Sequence, residues 1–136
     1  MTQDRIHPNV LLLRSLYEDL TTIAEYATDD MVLHPAIQRA CPGTPDIVGR
    51  QAALQWERNL IQNSAGTLVM DVEHITANDH FGTVLGTLVA RFGGQDFADS
   101  FCGLWRFEGG RITEHWENNH DPARLAALVA PESSRL

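Results

Sequence analysis

Three long β-type segments fill most of the second half of the chain and constrain its fold more than any other feature. They span residues 68–78, 80–93 and 96–108, are rich in Val, Thr, Phe and Leu, and are separated only by the short turn sequences NDH and GGQ. Turns this short join antiparallel neighbours, because a parallel connection needs a crossover of about a dozen residues or more. The sequence therefore predicts an antiparallel meander.

Segments with helical spacing precede this meander. Residues 9–28 predict two helices that end near Thr28, and GRQAALQWERNLIQN at 49–63 predicts a third. Between them, MVLH at 31–34 predicts a short strand ended by Pro35, and residues 35–49 predict a loop or lid. Asp121 and Pro122 are typical of a helix start and predict a C-terminal helix. The apolar stripe of the third helix consists of Ala53, Trp56, Leu60 and Ile61.

Helices followed by long antiparallel strands predict an α+β fold, a cone-shaped α+β barrel in which N-terminal helices pack on a strongly curved, mainly antiparallel sheet. The 136 residues match the size of one domain, so we assign 1–136 to a single domain with a frayed tail at 130–136. A cone between the helices and the sheet is a suitable place for a small apolar molecule.

The charge balance excludes some partners. Lys and Arg number 10 against 18 Asp and Glu, a formal net charge of −8. This charge repels phosphate backbones and anionic lipid, so we expect neither nucleic acid nor membrane as a partner. The N-terminal residues do not form a secretory signal, and we expect a cytoplasmic protein. The two cysteines then stay reduced; Cys102 is either packed as a small apolar residue or, alternatively, a nucleophile.

The stretch GGRITEHWENNHDP at 109–122 combines a glycine turn with a strand that carries polar groups along one side. A three-residue turn at 108–110 would pair Trp105 with His115, Gly103 with Glu117 and Phe101 with Asn119. A carboxylate beside aromatic rings loses hydration, which raises its pKa and suits proton transfer. The other face of the hairpin would carry Cys102, Leu104 and Arg106 across from Ile112, Glu114 and Trp116.

We therefore predict one cavity lined by Phe101, Glu117 and Asn119 of the hairpin and by Trp56 of the third helix. Histidine and a desolvated carboxylate both exchange protons near neutral pH, so the catalytic candidates are His34, Glu117 and His115. No metal is expected, because His115 and His120 point to opposite faces of a strand, and no dinucleotide or phosphate motif suggests a cofactor. The candidates for substrate binding are Trp56, Asp99, Phe101, Trp105 and Asn119.

The order of these pieces resembles the SnoaL-like polyketide cyclases. The resemblance is carried by paired helices ending in YATDD, the strand MVLHP, a helix begun by GR that contains Trp56, and the hairpin WRFEGGRITEHWE before DPARL. It implies the cystatin-like cone that these cyclases share with ketosteroid isomerases and nuclear transport factors. By position, His34 stands where ketosteroid isomerases have a general base, so the resemblance adds His34 to the predicted lining of the cavity. Leu11 and Gly103 stand where those enzymes have their oxyanion-binding pair. Glu117 stands at the acid/base position of the cyclases.

Together these features predict cofactor-free proton transfer on a hydrophobic, oxygenated small molecule: isomerisation, cyclisation, dehydration or epoxide opening. His34 or Glu117 would move the proton, and His115 and Asn119 would position oxygens. The alternative is a non-catalytic ligand-binding or association module of the same fold. The outer sheet face, with Cys102, Leu104 and Trp116, is too apolar for water and predicts a symmetric homodimer.

Overall fold

The computed structural model describes residues 6–129, so the predicted tail at 130–136 lies outside the described residues. The described part contains four α-helices, which are α1 (Pro8–Glu18), α2 (Ile23–Tyr26), α3 (Arg50–Asn63) and α4 (Pro122–Val129). It also contains six strands, which are β1 (Ala27–His34), β2 (Ile47–Val48), β3 (Val69–Ala77), β4 (Phe81–Phe92), β5 (Gln95–Glu108) and β6 (Arg111–Trp116).

The six strands form one sheet in the order β2-β1-β6-β5-β4-β3. β1 and β6 run parallel, and every other neighbouring pair is antiparallel. Alternate residues of β4 and β5 face the core, where they pack against Leu13 and Leu16 of α1. The predicted α+β fold is confirmed, since the helices pack on a six-stranded, mostly antiparallel sheet.

The N-terminal boundaries differ from the prediction. The second helix ends at Tyr26, and β1 begins at Ala27 rather than at Met31. Ala27, Met31 and Leu33 are fully buried while Asp29 and Asp30 are exposed, so this segment buries its apolar residues as a strand and not as a helix. The burial of these apolar residues therefore decided that the segment from Ala27 is a strand, although the helical spacing of the residues before it had predicted a helix to near Thr28.

Residues 35–49 are not a loop throughout, which corrects the predicted lid. A 3-10 helix covers Ala36–Arg39, and β2 pairs with β1 through Val32–Val48 and Leu33–Ile47. Pro35 ends β1, and the 3-10 helix then turns the chain over the end of the sheet. Ala36 thereby comes within hydrogen-bonding reach of the end of β6.

The β5–β6 hairpin has the predicted register for a different reason. The turn contains two residues, Gly109 and Gly110, both at positive φ (58° and 80°), which suits the twist of a hairpin. A bulge at Thr113 then adds one residue to β6, which shifts the pairing by one position and brings His115 opposite Trp105. Trp105 pairs with His115, and Phe101 pairs with Asn119, as predicted.

The bulge also moves Ile112 to the core. Ile112 pairs with Phe107, and both side chains are fully buried, so the prediction that Ile112 shares the outer face with Glu114 and Trp116 is wrong. At the other end of β6, α4 begins at Pro122, and the Asp121 carboxylate accepts a hydrogen bond from the Arg124 N–H at 3.1 Å. The predicted cap of the C-terminal helix is confirmed.

Candidate active site

A cavity lies between the helices and the inner face of the sheet. The cavity has a volume of about 60 Å³, which is several times the roughly 10–15 Å³ that one water molecule needs. Most of its wall is apolar, and its charged groups are two carboxyls. The lining residues are Tyr17, Leu20, Ile23, Ala36, Glu57, Leu60, Met70, Leu88, Phe101, Gly103, Trp105, His115, Glu117, Asn118, Asn119 and Leu125.

Glu117 lies just beyond the end of β6 and lines the cavity, as predicted. Its backbone N–H donates to the His34 carbonyl at 3.0 Å, which attaches it to the end of β1. Its carboxylate accepts the Ala36 N–H at 3.2 Å and the Trp56 indole N–H at 3.2–3.3 Å. Desolvation raises the pKa of Glu117 to about 6, although these donors favour the ionised form. The group can therefore gain and lose a proton near neutral pH.

Glu57 is a second carboxyl in the cavity that the sequence analysis missed. It is 4% exposed, lies on α3 and lines the cavity together with Glu117. Desolvation, followed by the charge of Glu117, holds the pKa of Glu57 well above its ordinary value. A sequence signal was present, because Glu57 falls on the apolar stripe of α3, four positions after Ala53 and three before Leu60. A charged residue within such a stripe is rarely buried without a partner.

His115 stacks on Trp105, with ring centroids 3.4 Å apart. Its Nδ1 lies 3.0 Å from the Leu104 carbonyl, which can only accept, so Nδ1 carries the proton. Burial lowers the pKa of His115 to about 3, so the ring is neutral at physiological pH. Nε2 then carries no proton, so it can accept a hydrogen bond but cannot act as an acid.

Tyr17 of α1 brings a phenol into the cavity. Its hydroxyl accepts the Trp105 indole N–H at 3.2 Å, and burial raises the pKa of Tyr17 far above its usual range. The hydroxyl lies directly over Gly103, where a Cβ would overlap it. The assignment of Leu11 to the oxyanion-binding pair is therefore wrong. Leu11 is 47% exposed, and the helix residue that faces Gly103 is Tyr17.

Asp99 and Asn119 form a polar pair at one edge of the cavity. The Asn119 amide N–H donates to Asp99 at 2.8 Å, and the same carboxylate oxygen accepts the Asp121 N–H at 2.7 Å. Because a carboxylate only accepts, this contact sets the orientation of the amide. Asn119 Oδ1 is buried without a hydrogen-bond partner. Asn119 lines the cavity, whereas Asp99 lies behind it and positions the amide.

His34 lies on the opposite face of the sheet, so the prediction that it lines the cavity is wrong. Its Nε2 contacts Glu114 at 2.6 Å and its Nδ1 contacts Asp46 at 2.8 Å, while its ring stacks on Trp116. Burial alone would lower the pKa of His34, but the hydrogen bonds to these two carboxylates outweigh burial and raise the pKa. Leu33 faces the core, and strand alternation therefore turns His34 outward.

The predicted residues are therefore only partly brought together. Trp56 reaches the cavity wall through its bond to Glu117 without itself being a lining residue. Across residues 6–129, no cluster of three His, Cys, Asp or Glu side chains has an arrangement that could hold a metal ion. No helix in the same range combines the length and apolar character needed to cross a membrane. The residues that do share the cavity wall are Phe101, Trp105, His115, Glu117 and Asn119.

The curved α+β layer and its enclosed cavity define a protein of the cystatin-like fold class. Within that class, the sequence model of the SnoaL-like domain matches residues 17–115, which is most of the chain. The chain belongs to the SnoaL-like domain family. Comparison with curated protein sequences gives no match.

Solved structures support the same fold. A cystatin-like protein of unknown function from Xanthomonas campestris aligns at a TM-score of 0.76 and 15% identity, covering 90% of this chain and 98% of that one. A candidate SnoaL-like polyketide cyclase from Jannaschia sp. CCS1 aligns at 0.71 and 19%, covering 96% and 99%. IdmH, a candidate polyketide cyclase from Streptomyces antibioticus, aligns at 0.68 and 21%, covering 90% and 99%. At these identities the likeness shows the fold alone.

Proposed function

We propose that this protein is a cofactor-free enzyme that moves a proton on a hydrophobic, oxygenated small molecule, with Glu117 as the acid/base. The observation that carries the proposal is the Glu117 carboxylate on the wall of a mostly apolar cavity, where desolvation raises its pKa to about 6. A base titrating near the working pH combines a useful ionised fraction with enough basicity to remove a proton. The candidate cyclases among the structural neighbours are consistent with this class of chemistry.

Three neutral groups would position the substrate. The Tyr17 hydroxyl accepts from Trp105 and keeps its own proton, so it can donate to a substrate carbonyl or to the enolate that forms from it. His115 Nε2 and Asn119 Oδ1 are acceptors and suit substrate hydroxyl groups. His34 is absent from this scheme because it lies on the other side of the sheet.

The proposal can be tested by hydrogen exchange on a simple ketone. Benzylacetone has an apolar ring and acidic hydrogens beside its carbonyl, so we expect the protein to accelerate their exchange in D₂O. The rate should rise with pH through about 6, because the active form of Glu117 is the ionised one. Proton NMR measures the loss of signal, and the Glu114→Gln variant, altered on the outer face, is the control. Exchange at the buffer rate at every pH would contradict the proposal.

A non-catalytic ligand-binding module is a second candidate, and Gly103 favours it. The strand position that carries an acid in related enzymes has no side chain here, because the Tyr17 hydroxyl occupies that space. Quenching of tryptophan fluorescence by benzylacetone separates the two candidates, since Trp105 lines the cavity. Binding without exchange supports the module, and binding with exchange supports the enzyme.

We also propose that two copies associate through the outer sheet face. Leu85 and Val89 are 43% and 42% exposed on β4, and Leu85 pairs with Cys102 of β5. Leu104 and Trp116 pair on the same face and are half-buried, so the exposed apolar strip continues across the sheet. Light scattering at micromolar concentration should give the mass of a dimer, and Leu85→Lys should shift it to that of a monomer. A wild-type monomer would contradict this proposal.

A further inference from the structure

We infer that Glu57 is a second catalytic carboxyl, and that the cavity eliminates water from a β-hydroxy carbonyl compound. In this scheme Glu117 removes the proton beside the carbonyl, and Glu57 delivers its own proton to the departing hydroxyl oxygen. The inference rests on the proposed function and deepens it by assigning one of the possible reactions.

The first step of the argument is that the two carboxyls share one proton. Glu57 and Glu117 line the same cavity and interact with each other, and two carboxyls can share a hydrogen bond only when one of them holds a proton. The residues that line the cavity include no Lys or Arg, and neither carboxyl belongs to a salt bridge found among residues 6–129. Two uncompensated carboxylates in contact would repel strongly in this environment.

The second step locates that proton on Glu57. Glu117 accepts hydrogen bonds from the Ala36 N–H and the Trp56 indole, and both favour its ionised form. Glu57 is almost fully buried, and the interactions that set its protonation are desolvation and its contact with Glu117. The resting pair is therefore a protonated Glu57 that donates to an ionised Glu117. One acid and one base then stand side by side in the same cavity.

The third step concerns the ligand. Two adjacent carboxyls reach neighbouring atoms of one molecule from the same side, which matches a C–H and a C–OH on adjacent carbons. The ligand carbonyl would accept from the Tyr17 hydroxyl, which carries a free proton. Asn119 Oδ1 is a buried acceptor without a partner in the same cavity, and the substrate hydroxyl can donate to it. This unpaired oxygen indicates, independently of the carboxyl pair, a ligand that carries a hydrogen-bond donor, which the hydroxyl group of the substrate supplies.

The reaction balances without an added reagent. The Cα–H bond breaks, its proton passes to Glu117, and its electron pair forms the Cα=Cβ bond. The Cβ–O bond breaks, and the oxygen takes the Glu57 proton and leaves as water. Glu117 is then protonated and Glu57 ionised, and transfer along their hydrogen bond restores the resting pair.

Two reactions of matched probes test the role of Glu57. The aldol adduct of acetone and benzaldehyde loses water to give benzylideneacetone, which is followed by ultraviolet absorbance, whereas hydrogen exchange on benzylacetone needs only the base. Because a general acid contributes about 10²–10⁴-fold, Glu57→Gln should slow dehydration about 100-fold or more relative to exchange. Glu114→Gln, the same change on the outer face, should leave both rates at the wild-type level.

The outcomes separate the two proposals. Equal slowing of dehydration and exchange in Glu57→Gln overturns the acid role of Glu57 and leaves Glu117 as the base. If the wild-type protein catalyses exchange but not dehydration, only the assigned reaction is overturned. If it catalyses neither reaction, the proposed function is overturned as well. Carbon NMR of protein labelled at the Glu carboxyls gives a readout without any substrate. One carboxyl should stay protonated to a higher pH than an ordinary glutamate, and its signal should disappear in Glu57→Gln; two carboxyls that both ionise in the ordinary range would overturn the inference.

Discussion

Replacing Glu117 with Gln is expected to lower the rate of hydrogen exchange on benzylacetone by about 10²–10⁴-fold, the usual contribution of a general base. The amide has the shape of the carboxyl and can still accept the Trp56 and Ala36 hydrogen bonds through its oxygen. It cannot take a proton at neutral pH, so chemistry is lost while binding is kept. The measurement is the exchange rate together with fluorescence titration of the same ketone.

The same substitution should stabilise the protein at alkaline pH. The folded protein raises the pKa of Glu117 from 4.5 to about 6, so the native state binds more protons than the unfolded state within that window. Stability from this group is therefore complete below pH 4.5 and is lost as pH rises through about 6, a loss of about 2 kcal/mol. Glu117→Gln removes this loss and also removes a negative charge next to Glu57.

Urea unfolding at acidic and alkaline pH measures the effect on stability. We expect Glu117→Gln to match the wild type at pH 4 and to be more stable at pH 8, with Glu114→Gln as the surface control. A variant that is catalytically inactive but no more stable at pH 8 than the wild type would mean that burial does not raise the pKa of Glu117. Retained exchange activity would remove Glu117 from the mechanism.

Replacing Trp105 with Ala should cause the largest loss of stability, about 3–5 kcal/mol, because it leaves a cavity in the core. Trp105 is 1% exposed, stacks on His115 and donates its indole N–H to Tyr17. Truncation therefore removes buried area and the support of two cavity residues at once. A loss of this size is a large fraction of the roughly 5–15 kcal/mol that keeps a domain folded. The free energy of unfolding from urea titration is the measurement.

Trp105→Phe is the matched variant, because it keeps an aromatic ring beside His115 and deletes the indole N–H. We expect it to lose much less stability than Trp105→Ala, since most of the apolar area stays buried. The Tyr17 hydroxyl loses its donor, so its orientation over Gly103 is less restricted and ligand binding should weaken. Equal losses of stability in the two variants would show that the hydrogen bond, and not packing, holds this corner.

Much of the fold and part of the site could be predicted from local patterns. The hairpin at the glycine pair 109–110 was predicted with Trp105 opposite His115 and Phe101 opposite Asn119, and the structure reaches this register through a bulge that the sequence did not reveal. Two cavity residues, Glu57 and Tyr17, were missed; both lie on helices distant in sequence from Glu117, and only packing brings them to the same cavity. His34 was placed in the cavity from its family position before Pro35, whereas Leu33 faces the core and strand alternation turns His34 to the other face.

The sequence by itself determined the long helices and strands, their order and the antiparallel pairing of β3 to β6, because short turns and the spacing of apolar residues act over a few positions. Those local rules also placed Glu117, Asn119 and His115 near one another. Only the tertiary structure decided which face each group meets and what lies against it. A bulge at Thr113 moved Ile112 into the core, and helix packing placed Glu57 and Tyr17 in the cavity. Protonation follows from that environment, because desolvation and neighbouring charge depend on contacts between residues far apart in the chain.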